Sequence, residues 1–135
     1  MKAVFIYDAI RSARTKAKPS GGLHELTPPQ LLKPLYRALT SRNQLDPNGI
    51  AEIILGCVTQ HGEQAANIAK TSALYAGWPE SVAGLTVHRF CSSSVDAIAL
   101  AGLKIAAGQS TAMVAGGIEM MSRVPMLSDH ARVFN

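Results

Sequence analysis

The sequence has few aromatic and few charged residues. Only 5% of its 135 residues are aromatic and 16% are charged, whereas 47% are hydrophobic. The apolar share can form a sizeable core, and the length suits one domain rather than two. Because alanine, glycine and serine are plentiful, we expect close helix-on-sheet packing rather than an aromatic-rich sandwich. The net charge is +4, but basic and aromatic residues are not interleaved as in proteins that bind single-stranded nucleic acid.

Cysteine is scarce, and signals that direct a chain to a membrane are lacking. Cys57 and Cys91 are the only cysteines and lie far apart in the sequence. With no secretory signal, they predict free thiols in a reducing compartment. The apolar run at the N-terminus is short and is interrupted by Asp8, and no stretch approaches the length of a membrane span. These absences favour a cytoplasmic protein without a membrane partner.

Signatures of nucleotide and metal sites are also missing. Gly116 and Gly117 do not form a nucleotide-binding fingerprint, and the sequence has no Walker-type loop. The histidines show no metal-ligand spacing with the cysteines; they are His24, His61, His88 and His130. The sequence therefore predicts no metal site, no permanently bound cofactor and no nucleic-acid partner.

The hydrophobic pattern predicts an α/β fold in the order β-α-β-α-β-α-β. Apolar runs typical of buried strands occur at residues 3–7, 51–58, 83–87 and 111–115. Helical signals separate them: a first helix begins at Thr27, with either a late start or a bend at Pro34, a second spans 64–76, and a third spans 91–108. This alternation implies a mostly parallel sheet. The third helix is apolar on nearly every side, which predicts that it is buried.

Cys91 is the most informative residue in the chain. It stands between a predicted strand and a predicted helix, where the free N–H groups and the dipole of a helix favour a reactive thiolate. Arg89 could add positive charge beside it. An isolated cysteine is more often a small buried hydrophobe, but three serines follow Cys91 directly and long motifs flank it. These neighbours favour a nucleophile.

The flanking motifs carry a resemblance to a known family. They read CVTQHGEQAANIAKTSALYAGWPESV at 57–82, VHRFCSSS at 87–94 and VAGGIEMMSRVPM at 114–126, after an opening loop RSARTKAKPSGGLHEL at 11–26. In this order and spacing they resemble the N-terminal half of a thiolase, the family of 3-ketoacyl-CoA thiolases and acetyl-CoA acetyltransferases. The resemblance implies that residues 1–135 form a partial N-terminal thiolase domain, with an incomplete first half of the layered fold and no C-terminal half.

The resemblance also implies a chemistry. Thiolases transfer an acyl group through a cysteine thioester, cleaving a 3-ketoacyl-CoA with free coenzyme A or condensing two acyl-CoAs in reverse. Cys91 matches the position of the nucleophile, and its own N–H would be one donor to the thioester oxyanion. Coenzyme A is then a co-substrate and acyl-CoAs are the substrates. The family's histidine base and second cysteine come from the C-terminal half, so the isolated chain is expected to be inactive.

Several residues near these motifs have weaker assignments. His88 and Ser94 stand where thiolases commonly have asparagine and glycine, and an added side chain at 94 is expected to tighten the space beside the nucleophile. His88 itself is read as a packed histidine at a strand end. Glu119 is interpreted as a structural carboxylate that organises loops, and Gln64 and Asn67 as makers of supporting hydrogen bonds.

Three functional hypotheses remain open from the sequence. The chain is part of a thiolase, as a homo-oligomer or with a separately encoded C-terminal half; or it is an incomplete fragment acting as a structural or interaction module; or it belongs to a ketosynthase-like condensing enzyme. Cys57 is expected to be structural. The basic residues of the opening loop form either a solvated loop or a contact to an anion such as a coenzyme A phosphate; they are Arg11, Arg14, Lys16 and Lys18.

Overall fold

A three-stranded parallel sheet with helices on both faces forms the centre of the molecule. The structure is a computed structural model that describes residues 2–130. In chain order the elements are α1 (Pro28–Asn43), β1 (Glu52–Gly56), α2 (Ile68–Tyr75), β2 (Ala83–Val87), α3 (Ser93–Ala106) and β3 (Met113–Gly117), with short 3-10 turns at Pro47–Gly49 and Gly62–Gln64. The predicted α/β class and the parallel sheet are confirmed.

β1 occupies the centre of the sheet, between β2 and β3. Its residues after Glu52 are all buried, as expected for a parallel strand that is covered on both faces. Ile53 and Leu55 face a core formed with α1 and α2, whereas Ile54 faces α3 on the other side. The side chains of β1 therefore alternate between two apolar layers. At its carboxyl end Gly56 aligns with Val87 of β2 and Gly117 of β3.

α1 begins where the sequence predicts. Thr27 accepts a hydrogen bond from the Gln30 N–H, and the Gln30 side chain accepts one from the Thr27 N–H, so the two residues form a capping box. The helix continues through Pro34 to Asn43. Because Pro34 has no N–H, one backbone hydrogen bond of the helix is lost there. The buried side chains of Leu32 and Tyr36, on either side of Pro34, pack this part of the helix against the core.

The predicted first strand at residues 3–7 is not formed. This segment is extended but pairs with no strand of the described chain, and Phe5, Ile6 and Tyr7 are 73%, 80% and 91% exposed. It is held mainly at its ends, where Lys2 N–H donates to the Ala106 carbonyl and Asp8 accepts from the Asn43 side chain. A strand needs a neighbour for its backbone N–H and C=O groups, so the apolar run alone does not make one.

Other element boundaries differ from the prediction for local reasons. α2 begins at Ile68 because the Asn67 side chain accepts from the Lys70 N–H and so caps the helix. α3 begins at Ser93 rather than at Cys91, which lies in the preceding turn. β3 spans Met113–Gly117, two residues later than predicted.

α3 is buried on one face only. Ala97 and Ala101 pack against Ile54 of β1 and are almost inaccessible. On the outer face Val95 and Leu103 are more than 60% exposed, and Ile98 is about half exposed. The burial predicted for this helix is thus met on its inner face only, since no further layer of residues 2–130 covers the apolar outer face.

Candidate functional site

A pocket of about 400 Å³ opens at the carboxyl end of the parallel strands. This is the edge of an α/β sheet where ligands commonly bind. Its walls come from the ends of β1 and β3, from the turn before α3 and from the segment after β3. The lining is mainly apolar and includes Phe90, Cys91, Ser94, Ile118, Met121, Met126 and Leu127. The predicted nucleophile thus lies beside a largely apolar space.

Cys91 sits in a tight turn between β2 and α3, and its side chain is exposed. The preceding residue, Phe90, has a φ of 49°, in the left-handed region that non-glycine residues seldom adopt. Such a conformation costs of order 1 kcal/mol or more and persists only when its surroundings hold it. The turn therefore exposes the Cys91 side chain and depends on a strained backbone conformation at Phe90. The sequence pattern did not predict this strain.

Ser93 bonds to the two residues before Cys91. Its hydroxyl accepts a hydrogen bond from the Arg89 N–H at 2.8 Å and donates one to the Phe90 carbonyl at 2.6 Å. The residue itself is only 4% exposed. One buried hydroxyl thus joins the start of α3 to the strained part of the turn.

The Arg89 side chain is directed to α3. Its guanidinium donates to both carboxylate oxygens of Asp96, at 2.9 and 3.2 Å. Both side chains are substantially exposed, so the pair adds little to stability, but it bridges the turn and the first part of the helix. The positive charge that Arg89 was expected to add beside Cys91 is therefore partly offset by the paired Asp96 carboxylate.

The start of α3 lies directly over two glycines. A Cβ on Gly56 would lie only 2.5 Å from the backbone of Ser93 and Ser94, and a Cβ on Gly117 would overlap the Ser94 hydroxyl. Glycine at these positions lets the helix approach the strand ends. Ser94 lines the pocket, which agrees with the expectation that its side chain narrows the space beside Cys91.

Below the pocket, Glu119 ties three segments together. Its carboxylate accepts from the Val58 N–H at 2.7 Å, from the Thr59 N–H at 3.4 Å and from the Gln64 side chain at 2.9 Å. Gln64 is fully buried, and its amide oxygen accepts from the Met120 N–H at 2.6 Å. This geometry agrees with the structural role predicted for Glu119 and the supporting role predicted for Gln64.

Asn67 supports a different part of the fold. Besides capping α2, its amide donates to the Gly84 carbonyl at 2.7 Å, and its oxygen accepts from the Thr86 hydroxyl at 3.0 Å. These bonds fasten the start of α2 to β2. Asn67 does not line the pocket, so the supporting role predicted for it agrees with its contacts.

Cys57 differs from Cys91 in its environment although both line the pocket. Cys57 is 1% exposed. Burial, together with the negative charges of Glu119 and Asp129, raises the pKa of the Cys57 thiol to about 12. A thiol that stays protonated is a poor nucleophile, which supports the structural role predicted for Cys57.

His88 and the basic loop lie outside the pocket lining. His88 is exposed; its Nδ1 accepts from the Phe90 N–H at 3.2 Å, and its ring meets the edge of the Phe90 ring with centroids 4.8 Å apart. His88 thus packs on Phe90 directly after β2, in agreement with the packed strand-end histidine that the sequence predicts, but it is exposed and also supports the turn. The four basic residues at 11–18 are exposed, which favours the solvated loop over an anion contact in this structure.

Arg123 links the segment after β3 to two distant parts of the chain, and the sequence analysis did not predict these contacts. Its guanidinium donates to both carboxylate oxygens of Glu63, at 2.6 and 2.5 Å, and to the His24 carbonyl at 2.8 Å. The pair lowers the pKa of Glu63. It fixes the segment after β3, which carries Met121 and Met126 into the pocket wall. The partners are far apart in sequence, so no local pattern could have indicated them.

Comparison with known proteins identifies the family. The model of the thiolase N-terminal domain matches residues 4–134. The chain belongs to the thiolase family. It is 43% identical over 124 residues to a 3-ketoacyl-CoA thiolase of Acinetobacter baumannii, covering 92% of this chain and 32% of that protein. It is 40% identical over 128 residues to a steroid 3-ketoacyl-CoA thiolase of Mycobacterium tuberculosis, covering 95% and 31%.

A solved thiolase has the same fold over most of the chain. The acetyl-CoA acetyltransferase of Bacillus anthracis matches with a TM-score of 0.72 and 41% identity, over 78% of this chain and 26% of the solved one. The present chain therefore spans about a third or less of the length of these relatives. Within residues 2–130, no helix has the length and apolarity to cross a bilayer, and no group of three or more acidic, histidine or cysteine side chains could hold a metal ion.

Proposed function

We propose that this chain supplies the nucleophile of a thiolase, with Cys91 accepting an acyl group from an acyl-CoA substrate. The observation that carries the proposal is the exposed Cys91, held on a strained turn at the mouth of an apolar pocket. The names of the relatives supply the substrate class, a 3-ketoacyl-CoA. Cys57 is the less suitable nucleophile, because burial keeps its thiol protonated.

The proposed reaction has two steps. In the first, the Cys91 thiol gives its proton to a base, its sulfur bonds to the 3-keto carbon, the bond between carbons 2 and 3 breaks, and the released acetyl-CoA carbanion takes up a proton from an acid. In the second, the thiol of free coenzyme A loses its proton and attacks the Cys91 thioester, which restores the Cys91 thiol and yields an acyl-CoA shorter by two carbons. This division into two steps is the advantage of covalent catalysis.

The pocket contributes in two ways to this proposal. Phe90, Met121 and Leu127 offer apolar surface to an acyl chain, and flexible methionines adapt to chains of different shape. The Cys91 N–H would donate to the oxygen that becomes negative during attack. Ser94 beside Cys91 limits the width of the site.

A second segment completes the proposed site. The family resemblance assigns a histidine base and a further cysteine to the C-terminal half, and this chain spans only 32% of a full-length relative. We therefore propose that it works either as one part of a longer or separately encoded thiolase or within a homo-oligomer, with coenzyme A as co-substrate. A cytoplasmic location stays a prediction.

Cleavage of acetoacetyl-CoA by free coenzyme A tests the proposal. We expect no turnover with the 135-residue chain alone, because groups that act as a unit lose most of their effect when one is missing. Turnover is expected when a C-terminal thiolase half is added. Rapid turnover by the lone chain would contradict the assignment of the base, and no turnover in any complete assembly would contradict the proposed function.

The variant Cys91→Ser separates the nucleophile from the fold. In the active assembly it should reduce thiolysis at least about a thousandfold, because an unactivated hydroxyl is a poor nucleophile. Ser81→Ala, a change at an exposed turn residue that does not line this pocket, serves as the control and should leave the rate unchanged. If Cys91→Ser kept more than a few per cent of the rate, another nucleophile would be required.

An interaction module without catalysis remains the second candidate, favoured by the exposed outer face of α3.

A further inference from the structure

We propose that Ser93 positions the Cys91 thiol, and that its two neighbours in the triple-serine run do not. The inference rests on the proposed role of Cys91. Ser93 is a positioning residue here: its hydroxyl bonds to the backbone on the far side of Cys91, at Arg89 and Phe90, and touches no reacting group. Its test uses the reactivity of the thiol rather than turnover, so the two proposals can fail separately.

The hydroxyl of Ser93 uses both of its hydrogen-bonding functions in the turn. It accepts from the Arg89 N–H and donates to the Phe90 carbonyl, so both ends of the strained peptide segment are anchored to the first residue of α3. Because Ser93 is buried against Gly56, this anchor cannot swing away without moving the helix start. It opposes the tendency of Phe90 to leave its left-handed conformation.

The other two serines lack this arrangement. Ser92 is exposed and its side chain makes no capping bond to α3. The Ser94 hydroxyl lies against Gly117 rather than against the turn and makes no hydrogen bond within residues 2–130. The Ser92 backbone N–H does donate across Cys91 to the Arg89 carbonyl at 3.0 Å, but an alanine at 92 would keep that bond. Three adjacent residues of the same type therefore have three different environments, and only the middle side chain bonds across Cys91.

The consequence concerns the orientation of Cys91 relative to α3. With the turn anchored, Cys91 keeps its place just before the first residue of α3, and the N-terminal end of a helix is a position that makes a cysteine sulfur more reactive. When the anchor is removed, Phe90 can relax to an ordinary conformation and carry Cys91 away from this position. Cys91 is already exposed, so relaxation gives little further access and mainly removes this advantage.

The test is the rate of Cys91 alkylation by iodoacetamide across a pH series in the folded 135-residue chain, read by peptide mass mapping. We expect Ser93→Ala to slow alkylation of Cys91 at neutral pH by about three- to tenfold. The matched change Ser92→Ala should leave it within about twofold. Buried Cys57 reports general loosening in the same sample, and its labelling should stay slow in all variants.

A double-mutant cycle with Phe90→Gly distinguishes positioning from a simple loss of stability. Glycine adopts a positive φ without strain, so the anchor becomes less necessary. The effect of Ser93→Ala should therefore shrink to less than about twofold in the Phe90→Gly background. An unchanged Cys91 rate in Ser93→Ala, an equal effect of Ser92→Ala, an equal effect of Ser93→Ala in both backgrounds, or parallel acceleration of Cys57 labelling would each overturn the proposal.

Discussion

Gln64 and Glu119 are hydrogen-bonded to each other, and together they bond to the backbone that follows β1 and β3. The Gln64 amide donates to the Glu119 carboxylate at 2.9 Å, while its oxygen accepts from the N–H of Met120, the next residue after Glu119, at 2.6 Å. Glu119 in turn accepts from the N–H groups of Val58 and Thr59. The floor of the pocket is therefore one hydrogen-bonded unit that joins the ends of β1 and β3 to the turn before α2.

Replacing Glu119 by glutamine should destabilise the fold. The carboxylate accepts hydrogen bonds from three N–H donors. A glutamine side chain carries an NH2 group in place of one carboxylate oxygen, so a donor would face a donor and one hydrogen bond would lose its acceptor. We expect the free energy of unfolding to fall by about 1–3 kcal/mol, measured by urea denaturation. Glu80→Gln makes the same chemical change at an exposed loop residue and should cost under about 0.5 kcal/mol. Equal effects of the two changes would show that the network contributes nothing.

Adding a methyl group at Gly117 should be costly, whereas adding one at Gly116 should not. A Cβ at 117 would overlap the Ser94 hydroxyl and lie 3.0 Å from the Gly56 carbonyl oxygen. A Cβ at 116 would meet only Leu55, at an ordinary 3.9 Å. We expect Gly117→Ala to lower the free energy of unfolding by about 1–3 kcal/mol.

The same pair of residues offers a rescue. Ser94→Gly removes the hydroxyl that the new methyl would overlap, so the double variant Ser94→Gly/Gly117→Ala should recover part of the loss beyond the sum of the single changes. Thermal or urea unfolding of the four proteins measures this coupling. Strict additivity, or a Gly116→Ala variant as unstable as Gly117→Ala, would contradict the close packing of α3 on the strand ends.

Stability should fall at alkaline pH, and Cys57 should be a main cause. The pKa of Cys57 is raised from 9.0 to about 12 in the folded chain, so above pH 9 the unfolded chain releases a proton that the folded chain keeps. The free energy of unfolding then decreases as pH rises from about 9 to 12. Buried Tyr36, raised from 10.0 to about 12, adds to the decrease above pH 10.

The variant Cys57→Ala isolates this contribution. Urea unfolding under reducing conditions at pH 9 and pH 10.5 should show a decrease for the wild-type chain that exceeds that of Cys57→Ala by roughly 1–2 kcal/mol. The alanine variant is less stable at neutral pH, but the comparison uses only the change with pH. If the free energy of unfolding decreased equally for both chains over this pH range, burial would not be keeping the Cys57 thiol protonated in the folded chain.

The sequence predicted features that depend on local pattern. The α/β order from the first helix onward, the capped start of α1 at Thr27 and the location of Cys91 between a strand and a helix all follow from residue type and spacing within short windows. The motif resemblance to thiolases, which the family comparison confirms, extended this to the identity of the fold.

Features that depend on distant partners or on backbone strain were not predicted. Residues 3–7 have the apolar character of a strand but lack a neighbour to pair with. Arg123 and Glu63 meet across 60 positions of sequence, and the left-handed Phe90 is a large aromatic residue where a glycine would be the usual signal. In each case the deciding energy comes from tertiary contacts that no short window contains.

The exposed apolar face of α3 should make the chain associate at micromolar concentration. Ile98 and Leu103 are 49% and 62% exposed on this face. The N-terminal segment approaches α3 at Lys2, whose N–H donates to the Ala106 carbonyl, and at Val4, whose side chain lies 4.0 Å from where a Cβ on Gly102 would stand. Contiguous exposed apolar surface of this kind usually marks an interface. We expect sedimentation velocity to show species larger than a monomer and the double variant Ile98→Gln/Leu103→Gln to weaken association at least about tenfold, or about 1.4 kcal/mol. Leu74→Gln/Tyr75→Gln removes two exposed apolar residues from α2 and should leave association unchanged. A monomeric wild-type chain, or equal weakening by both double variants, would show that this face is not the interface.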